Sequence, residues 1–431
     1  VFIPLLLMGG IVGRLFREFA MTLTIAVLVS AIVSLTLTPM MCSRFLRAEH
    51  GRHGRFYNAM EAVFKGMVGF YERTLDVVLR YQFITLLTFL ATMALSVCLY
   101  VYIPKGFFPQ QDIGMLMGIS DAAQDISFEE MKHRQEKVME VFHQDPNILS
   151  FTSYIGSGSG GQTGNNGRFY INLKPWGERH LTAQQVIEEL RPKLAKLEGV
   201  RVFLQARQDI SIGARLTRTQ YEYTLQDADL DELSHFAPRV LAKLRTLPML
   251  RDVATDQQMS GTTAALTIDR DKAATYGVQP QQIDDTLYDA FGQRLVTQYF
   301  TQLNSYYVVL EVPPELEGKV ETLNALYVRA ANGKLAPLST FVKWTTAPLA
   351  PLSVSHQSLF PAVTTSFNLA PGAALGDAVA AVHKASAQLG LPPTVQASFQ
   401  GTAQAFQSSL GSQPYLIAAA LVTVYIILGI L

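Results

Sequence analysis

Two long stretches of the chain are hydrophobic without interruption. Residues 19–43 and 81–104 contain no Asp, Glu, Lys or Arg, and about 20 mainly apolar residues suffice for a helix to cross a bilayer. We therefore predict a transmembrane helix over each, with a buried helix of a soluble core as the alternative. Two further apolar stretches, 1–13 and 414–431, stand at the ends of the chain. We expect them to be truncated transmembrane helices, and the chain to be an internal fragment of a larger membrane protein.

Composition and charge support a membrane protein and indicate its orientation. Of the 431 residues, 49% are hydrophobic and 16% charged, which is too apolar for an average soluble protein. Basic residues are frequent between the two spans, whereas the short loop expected before the first span has Arg14 and Arg17. Because cytoplasmic loops are enriched in Lys and Arg, residues 44–80 are predicted to be cytoplasmic. The region after residue 104 is then expected in the periplasm, outside a bacterial inner membrane.

Residues 44–80 also show a helical pattern. Apolar residues recur there at steps of three and four with charged residues between them: Met60, Phe64, Met67, Tyr71, Leu75 and Val78. This spacing predicts an amphipathic helix on the membrane surface. A helix packed in a soluble domain is the alternative interpretation.

After the second span the pattern changes to strands that alternate with short amphipathic helices. Over 105–206 it predicts a strand, a helix, two strands, a helix and a strand, with helix caps at Ser127 and Thr182. This βαββαβ order is that of the ferredoxin-like unit. A second unit of the same kind is predicted from 221–263 and 352–401. Residues 264–351 would form an insertion between its halves.

The sequence GSGSGG at 156–161 matches the G-x-G-x-x-G fingerprint of dinucleotide-binding loops. That fingerprint requires a helix directly after it, whose N-terminus binds the pyrophosphate. Here residues 168–176 alternate large and polar side chains, which predicts a strand instead. Six of the twelve residues from Gly156 to Gly167 are glycine. The run is therefore interpreted as a mobile connection between two strands, with its glycines present for backbone freedom.

Enzymatic and metal chemistry find little support in the sequence. There is no Gly-x-Ser-x-Gly or Cys-x-x-Cys motif, and the histidines after the second span show no metal-ligand spacing: His133, His143, His180, His235, His356 and His383. Met115 and Met117 could suggest a soft metal, but their spacing is typical of a strand facing a core or pocket. We expect no catalytic residues, no metal and no cofactor. Acidic residues outnumber basic ones after residue 81, so a nucleic-acid partner is not indicated.

Several segments together resemble one transporter family. VFIPLLLMGGIVGRLFREFA and LTLTPMMCSRFL resemble the membrane segments of resistance-nodulation-division (RND) efflux transporters, in their hydrophobe and amphiphile multidrug branch. IPKGFFPQQDIG resembles that family's join between a span and its periplasmic part, IDRDKAATYGVQPQQIDDTL its docking insertion, and YLIAAALVTVYIILGIL the start of its next span. The resemblance covers the whole chain in order. It is strongest for members that work beside a second, related inner-membrane subunit.

The resemblance implies an α+β membrane protein, with transmembrane helices, periplasmic ferredoxin-like βαβ porter subdomains and an inserted docking subdomain. The implied function is proton-driven efflux of drugs or amphiphilic compounds. The implied partners are a homo- or heterotrimer of RND subunits, a periplasmic adaptor protein, an outer-membrane channel, small amphiphilic substrates and the lipid bilayer. The family's proton-carrying residues lie on spans outside this sequence, so no proton relay is expected here.

The resemblance also implies site residues. The glycine run falls where the family has a mobile loop between two drug pockets, so Gly156, Ser157, Gly158, Ser159, Gly160 and Gly161 are the expected gating loop. Well-known drug pumps have phenylalanines where Ser157 and Ser159 stand. The expected substrate-binding residues are Met117, Tyr154, Tyr170 and Phe203, although core packing remains open for each aromatic. Thr152 and Gln205 replace aromatics of the family, which favours a more polar or amphiphilic substrate.

Two other functions remain open at this point. The same duplicated scaffold could serve a lipid transporter or a protein-export accessory, since a fold does not determine its cargo. A membrane-tethered nucleotide-binding enzyme would rest on the glycine fingerprint alone.

Overall fold

The computed structural model describes residues 9–45, 55–156, 163–210, 212–213, 217–317 and 319–430. The chain forms two compact units. The first comprises Val1–Pro109, Leu369–Lys384 and Gln400–Leu431, and the second comprises Gln110–Asn368 and Ala385–Phe399.

The N-terminal part of the first unit is helical: α1 spans Gly10–Phe45, α2 Arg55–Arg80 and α3 Gln82–Tyr102. The prediction of a loop at residues 14–18 is wrong, because α1 continues through this segment. That segment contains no proline and consists mainly of good helix formers, so nothing in it ends the helix. Residues 1–8 of the predicted helix over 1–13, and 46–54 of the predicted connector, lie outside the described residues. The predicted apolar stripe is on α2, and its side chains are almost all exposed.

The second unit begins with a four-stranded antiparallel sheet. Its elements are β1 Met115–Ala122, α4 Phe128–His143, β2 Ile148–Ile155, β3 Asn166–Leu173, α5 Ala183–Leu194 and β4 Val200–Ala206. The strand order is β2-β3-β1-β4, which is the ferredoxin-like order. The two helices start at the predicted caps, where Ser127 accepts a hydrogen bond from the Glu130 backbone and Thr182 forms a capping box with Gln185.

The helices of this first sheet cover one of its faces with an apolar core. Residues of that face alternate along each strand with residues of the other face. The core combines strand residues with the inner faces of α4 and α5, among them Leu116, Val138, Phe142, Phe169, Ile171, Val186, Leu190 and Leu204. The remaining residues of each strand point to the opposite face of the sheet.

The second sheet begins with β5 Tyr221–Gln226, α6 Leu230–Arg245 and β6 Leu250–Thr255, and is then interrupted. The inserted segment begins with β7 Gly261–Ile268 and ends with β12 Val342–Ala350, and these two strands pair antiparallel. Between them lie α7 Arg270–Thr275, α8 Pro280–Phe291, the hairpin of β8 Arg294–Phe300 and β9 Ser305–Leu310, and the short pair β10 Tyr327–Arg329 and β11 Leu335–Pro337. A separate core around Ile283, Leu338 and Phe341 holds this inserted part together.

The chain then returns to the second sheet with β13 His356–Gln357, β14 Phe360–Leu369, α9 Leu375–Gln388 and β15 Gln396–Gln400. β14 pairs antiparallel with β5, so the segments before and after the insertion share one sheet in the order β13-β14-β5-β15, with β6 also on β14. The last helix, α10, spans Gly401–Ile430 and begins well before the apolar stretch that starts at 414. Its first turns lie in the first unit, where Phe406 makes an edge contact with Phe107.

Among the residues that the structure describes, three helices are long and apolar enough to cross a membrane: Val12–Phe45, Gln82–Tyr102 and Gly401–Ile430. The first and last pack against each other within the first unit. Nearly all large apolar side chains of these helices are exposed, and such a surface requires lipid or protein around it.

Candidate substrate-binding face

The four expected substrate-binding residues lie on the same face of the first sheet. The strand register places Met117 of β1 opposite Tyr170 of β3 and Gln205 of β4. Tyr170 in turn lies opposite Thr152 of β2. Residues directly opposite each other in paired strands point to one side of a sheet. One row across the sheet, on the face opposite the helices, therefore consists of Thr152, Tyr170, Met117 and Gln205.

A second row lies two residues further along the strands. It runs from Tyr154 of β2 through Arg168 of β3 and Ile119 of β1 to Phe203 of β4. The two rows are linked by an edge contact between Tyr154 and Tyr170, whose ring centroids are 6.3 Å apart. We call these eight residues the open face: Thr152, Tyr170, Met117, Gln205, Tyr154, Arg168, Ile119 and Phe203.

Exposure differs strongly along the open face. Tyr154 is 58% exposed and Phe203 only 8%, while Met117, Tyr170 and Ile119 are half-buried. Phe203 points away from the helix-backed core of this sheet, since that core is formed by the alternate residues of β4. The open face is thus enclosed at β4 and accessible at β2.

Polar contacts border the enclosed side. The Gln205 amide donates to the backbone oxygen of Thr217 at 3.2 Å. One row beyond Ile119 on β1, the Asp121 carboxylate contacts both Arg201 and Arg218, each at 3.4 Å. The segment that contains Thr217 and Arg218 therefore runs beside the sheet at β4, and it is held there by the Gln205 hydrogen bond and by the ion pair between Arg218 and Asp121.

Described residues on either side of the expected gating loop lie close together at the ends of β2 and β3. Ser157, Gly158, Ser159, Gly160 and Gly161 lie outside the described residues, but Gly156 is described and has a φ of +71°, a conformation that favours glycine. Its N–H donates to the backbone oxygen of Asn166 at 2.9 Å. At the other end Thr163 donates to Gln258, 2.7 Å away. The contact between Thr163 and Gln258 was not predicted, because a contact between residues so distant in the chain leaves no local pattern.

Gly167 corrects the interpretation of the glycine run. β3 begins at Asn166, so Gly167 is a strand residue that pairs with Ile155 and does not belong to the connection between the strands. A Cβ at this position would overlap Ser120 and Gln135. Gln135 accepts a hydrogen bond from Ser120 and donates to Ser153, which links α4 to β1 and β2 beside Gly167. Glycine is therefore required at 167 for close packing and not for backbone freedom.

The whole length of the chain matches one protein family. The model of the AcrB/AcrD/AcrF family matches residues 1–431 of this chain. The chain belongs to that family of RND permeases. These are transporters of the inner membrane and not enzymes, and RND permeases generally form trimers with adaptor and outer-membrane channel partners.

In this RND permease, the segment before the first sheet is fixed by a buried ion pair that sequence analysis missed. Asp112 lies in the family-like stretch IPKGFFPQQDIG and accepts two hydrogen bonds from Arg179, at 2.8 and 2.9 Å. The same carboxylate accepts the N–H groups of Gly114 and Ala183, the latter at the start of α5. The Arg179 side chain is 1% exposed and lies over the Trp176 ring at 4.2 Å.

The pKa of Asp112 reflects these contacts. Burial by itself raises the pKa of this carboxyl, but the hydrogen bonds from Arg179 and from the two backbone N–H groups outweigh it and leave the pKa lowered. Asp112 therefore remains charged at neutral pH and neutralises the buried Arg179. This pair joins the segment before β1 to the start of α5 and so helps to position the sheet.

The described residues of the permease contain no group of three or more His, Cys, Asp or Glu side chains that could hold a metal ion. The side chains of the open face are instead aromatic, aliphatic, amide and guanidinium groups. Such groups can bind an organic molecule by apolar contact and hydrogen bonding.

Proposed function

We propose that this chain is part of a proton-driven exporter that moves drugs or amphiphilic compounds from the periplasm or inner membrane through a tripartite pump. In this proposal both α/β sheets are periplasmic porter subdomains and residues 264–351 are the docking insertion. The partners are a trimer of RND subunits, a periplasmic adaptor and an outer-membrane channel. We assign no proton-carrying residue to this chain.

The observation that carries the proposal is the shared orientation of Met117, Tyr154, Tyr170 and Phe203. These residues come from four different strands, yet the register places all of them on one face. Aromatic and thioether side chains at an accessible surface suit apolar parts of a ligand. The neighbouring Thr152 and Gln205 add hydrogen-bonding groups, so an amphiphile fits this face better than a purely apolar compound.

The position of the loop ends supports a gate at the same place. Gly156 follows the end of β2, two residues after Tyr154 of the open face. We propose that the loop from Gly156 to Gly161 controls access to the open face. The close packing at Gly167 would give this loop a fixed base.

The test is alanine substitution in the complete transporter. Tyr154→Ala and Tyr170→Ala should each change resistance to some exported compounds and not others, at unchanged protein levels, because both side chains are at least partly exposed. Phe203→Ala should also lower the amount of protein, since truncating a buried aromatic costs about 3–5 kcal/mol. Susceptibility to a panel of compounds is compared with expression blots.

A matched control is Phe128→Ala, which removes an exposed aromatic side chain from α4, on the helix side of the same sheet. It should leave the resistance profile unchanged. The proposal fails if Tyr154→Ala and Tyr170→Ala behave like this control for every compound that the transporter exports.

A further inference from the structure

The turn between β13 and β14 has an uncommon backbone conformation. It consists of Ser358 and Leu359, whose φ values are +50° and +74°. Two-residue turns with a positive φ at both positions are normally built from Asn and Gly. A bulky side chain is rare there, because its Cβ lies too close to a neighbouring carbonyl oxygen. Leu359 therefore makes this turn less stable than Asn or Gly would.

The Leu359 side chain gains little from burial within the chain. It is 94% exposed, and the adjacent Phe360 is 50% exposed. An apolar side chain contributes favourable free energy only when it is removed from water. Strained residues are also concentrated at sites where a protein binds or switches. We call Leu359 and Phe360 the apolar tip, which this turn presents at a cost to the fold.

Hydrogen bonds hold the base of the apolar tip. Gln357 pairs with Phe360 across the turn. The Gln226 side chain donates to the backbone oxygen of Gln357 at 3.2 Å, and the Asp227 N–H donates to that of Pro361 at 3.2 Å. These bonds join the hairpin to the end of β5. A partner that binds the tip therefore has less conformational entropy to remove.

The segment that is hydrogen bonded to the hairpin is acidic. Residues 226–232 contain no Lys or Arg and four acidic residues: Asp227, Asp229, Asp231 and Glu232. Of these, Asp229 and Asp231 are exposed. The hairpin itself, residues 356–361, has no Asp, Glu, Lys or Arg. The surface that complements this region has an apolar pocket for the tip and Lys or Arg beside it.

We propose that the apolar tip is a docking point for the periplasmic adaptor, where Leu359 enters an apolar pocket with a basic border. This inference rests on the proposed function, in which an adaptor binds this chain. A lipid surface fits less well, because anionic lipids repel acidic residues. A second copy also fits less well. The pocket that the described residues form beside this hairpin is lined by Asp256 and by serine, glutamine and apolar side chains, without a basic border.

The experiment measures the Kd of the purified adaptor of the same pump for the complete transporter in nanodiscs. Leu359→Asn should weaken binding about tenfold or more, because the apolar side chain that leaves water on binding is gone. The same variant should melt at an equal or higher temperature, since Asn tolerates a positive φ better than Leu. A residue with only a structural role would not combine lost binding with retained stability.

Three further variants complete the design. Ser358→Asn is the matched control, because it introduces the same residue type in the same turn and keeps Leu359; its Kd should stay within about twofold of wild type. Leu359→Met keeps an apolar side chain of similar volume and should retain most of the binding. Asp231→Asn removes an exposed charge and should weaken binding about twofold to threefold at low salt, with a smaller effect at high salt.

The outcomes separate this inference from the proposed function. If the adaptor binds wild type and Leu359→Asn equally tightly, docking at the tip is wrong and the adaptor partnership stands. Equal losses in Leu359→Asn and Ser358→Asn would also overturn it, because the shape of the turn would then matter and not the leucine.

Two results would lead elsewhere. If Leu359→Asn lowers the fraction of trimers in native mass spectrometry and leaves adaptor binding unchanged, the tip contacts a second copy and the inference is overturned. If the adaptor does not bind the wild-type transporter, both the inference and the adaptor partnership fail.

Discussion

The two sheets of the second unit share a construction but differ on the face opposite their apolar side. In the first sheet that face has half-buried or exposed aromatic, aliphatic and arginine side chains. In the second sheet, consecutive residues of β5 and β14 are buried on both faces. Its second face has polar side chains from both strands, among them Thr224 and Thr364, whose hydroxyl groups are hydrogen bonded at 3.1 Å. The same alternation therefore produces an accessible surface in one sheet and a closed interior in the other.

This difference has a physical basis in the side chains. Tyr221 stacks on Phe367 with ring centroids 5.8 Å apart, and the Tyr223 hydroxyl donates to Ser386 at 2.9 Å. Buried polar groups need such partners, because an unpaired one costs free energy. Tyr154 has 58% of its surface exposed, so water can satisfy its hydroxyl. The second sheet is therefore closed on both faces, whereas the first sheet leaves one face accessible.

The largest expected effect tests the closed sheet. Phe367→Ala should lower the free energy of unfolding by about 3–5 kcal/mol, because it leaves a cavity between two buried strands. Tyr154→Ala, the matched change on the open face, should lower it by less than about 1 kcal/mol. Thermal unfolding of the purified chain in detergent measures both. Similar losses for the two variants would remove the distinction between the sheets.

A somewhat smaller effect is expected at the buried pair that holds the first sheet. Asp112→Asn should cost about 3 kcal/mol, because it leaves the charge of Arg179 buried without its partner. The exposed Asp284→Asn has the same charge change and serves as the control, with an expected cost below about 0.5 kcal/mol.

The same pair should make stability depend on pH. The pKa of Asp112 is lower in the folded protein than the ordinary value of about 3.9. Charged Asp112 therefore makes its full contribution to the free energy of unfolding above that ordinary value. The contribution is lost as the pH falls through the lowered pKa of the folded protein. The difference in melting temperature between wild type and Asp112→Asn should therefore shrink as the pH is lowered from neutral into this acid range. A constant difference down to that range would contradict the role of the charge.

Local patterns predicted local features well. The caps at Ser127 and Thr182 are confirmed, because a cap depends on residues three positions apart in the chain. The strands of the first sheet follow their period-two alternation. The continuation of α1 through Arg14 and Arg17 was not predicted, because isolated charges were interpreted as a loop although they are compatible with a helix.

The arrangement of the site could be predicted only in part. Tyr170 and Met117 were expected in a pocket from a family resemblance, but no pattern within one strand shows that they lie opposite each other. Register also places Arg168 and Ile119 on the open face, and it explains Gly167, whose neighbours Ser120 and Gln135 come from other elements. Features that depend on contacts between distant segments require the structure.

The central claim, that cargo contacts the open face, is tested most directly by protection from labelling. Cysteine is introduced at Tyr170 in the purified complete transporter, and its maleimide labelling rate is followed by mass spectrometry of its own peptide. Lys137→Cys, exposed on α4 behind the sheet, is the control. A saturating exported compound should slow labelling at 170 several-fold relative to 137, because bound cargo covers the site. Equal rates at 170 with and without that compound, in a variant that still exports it, would contradict the account.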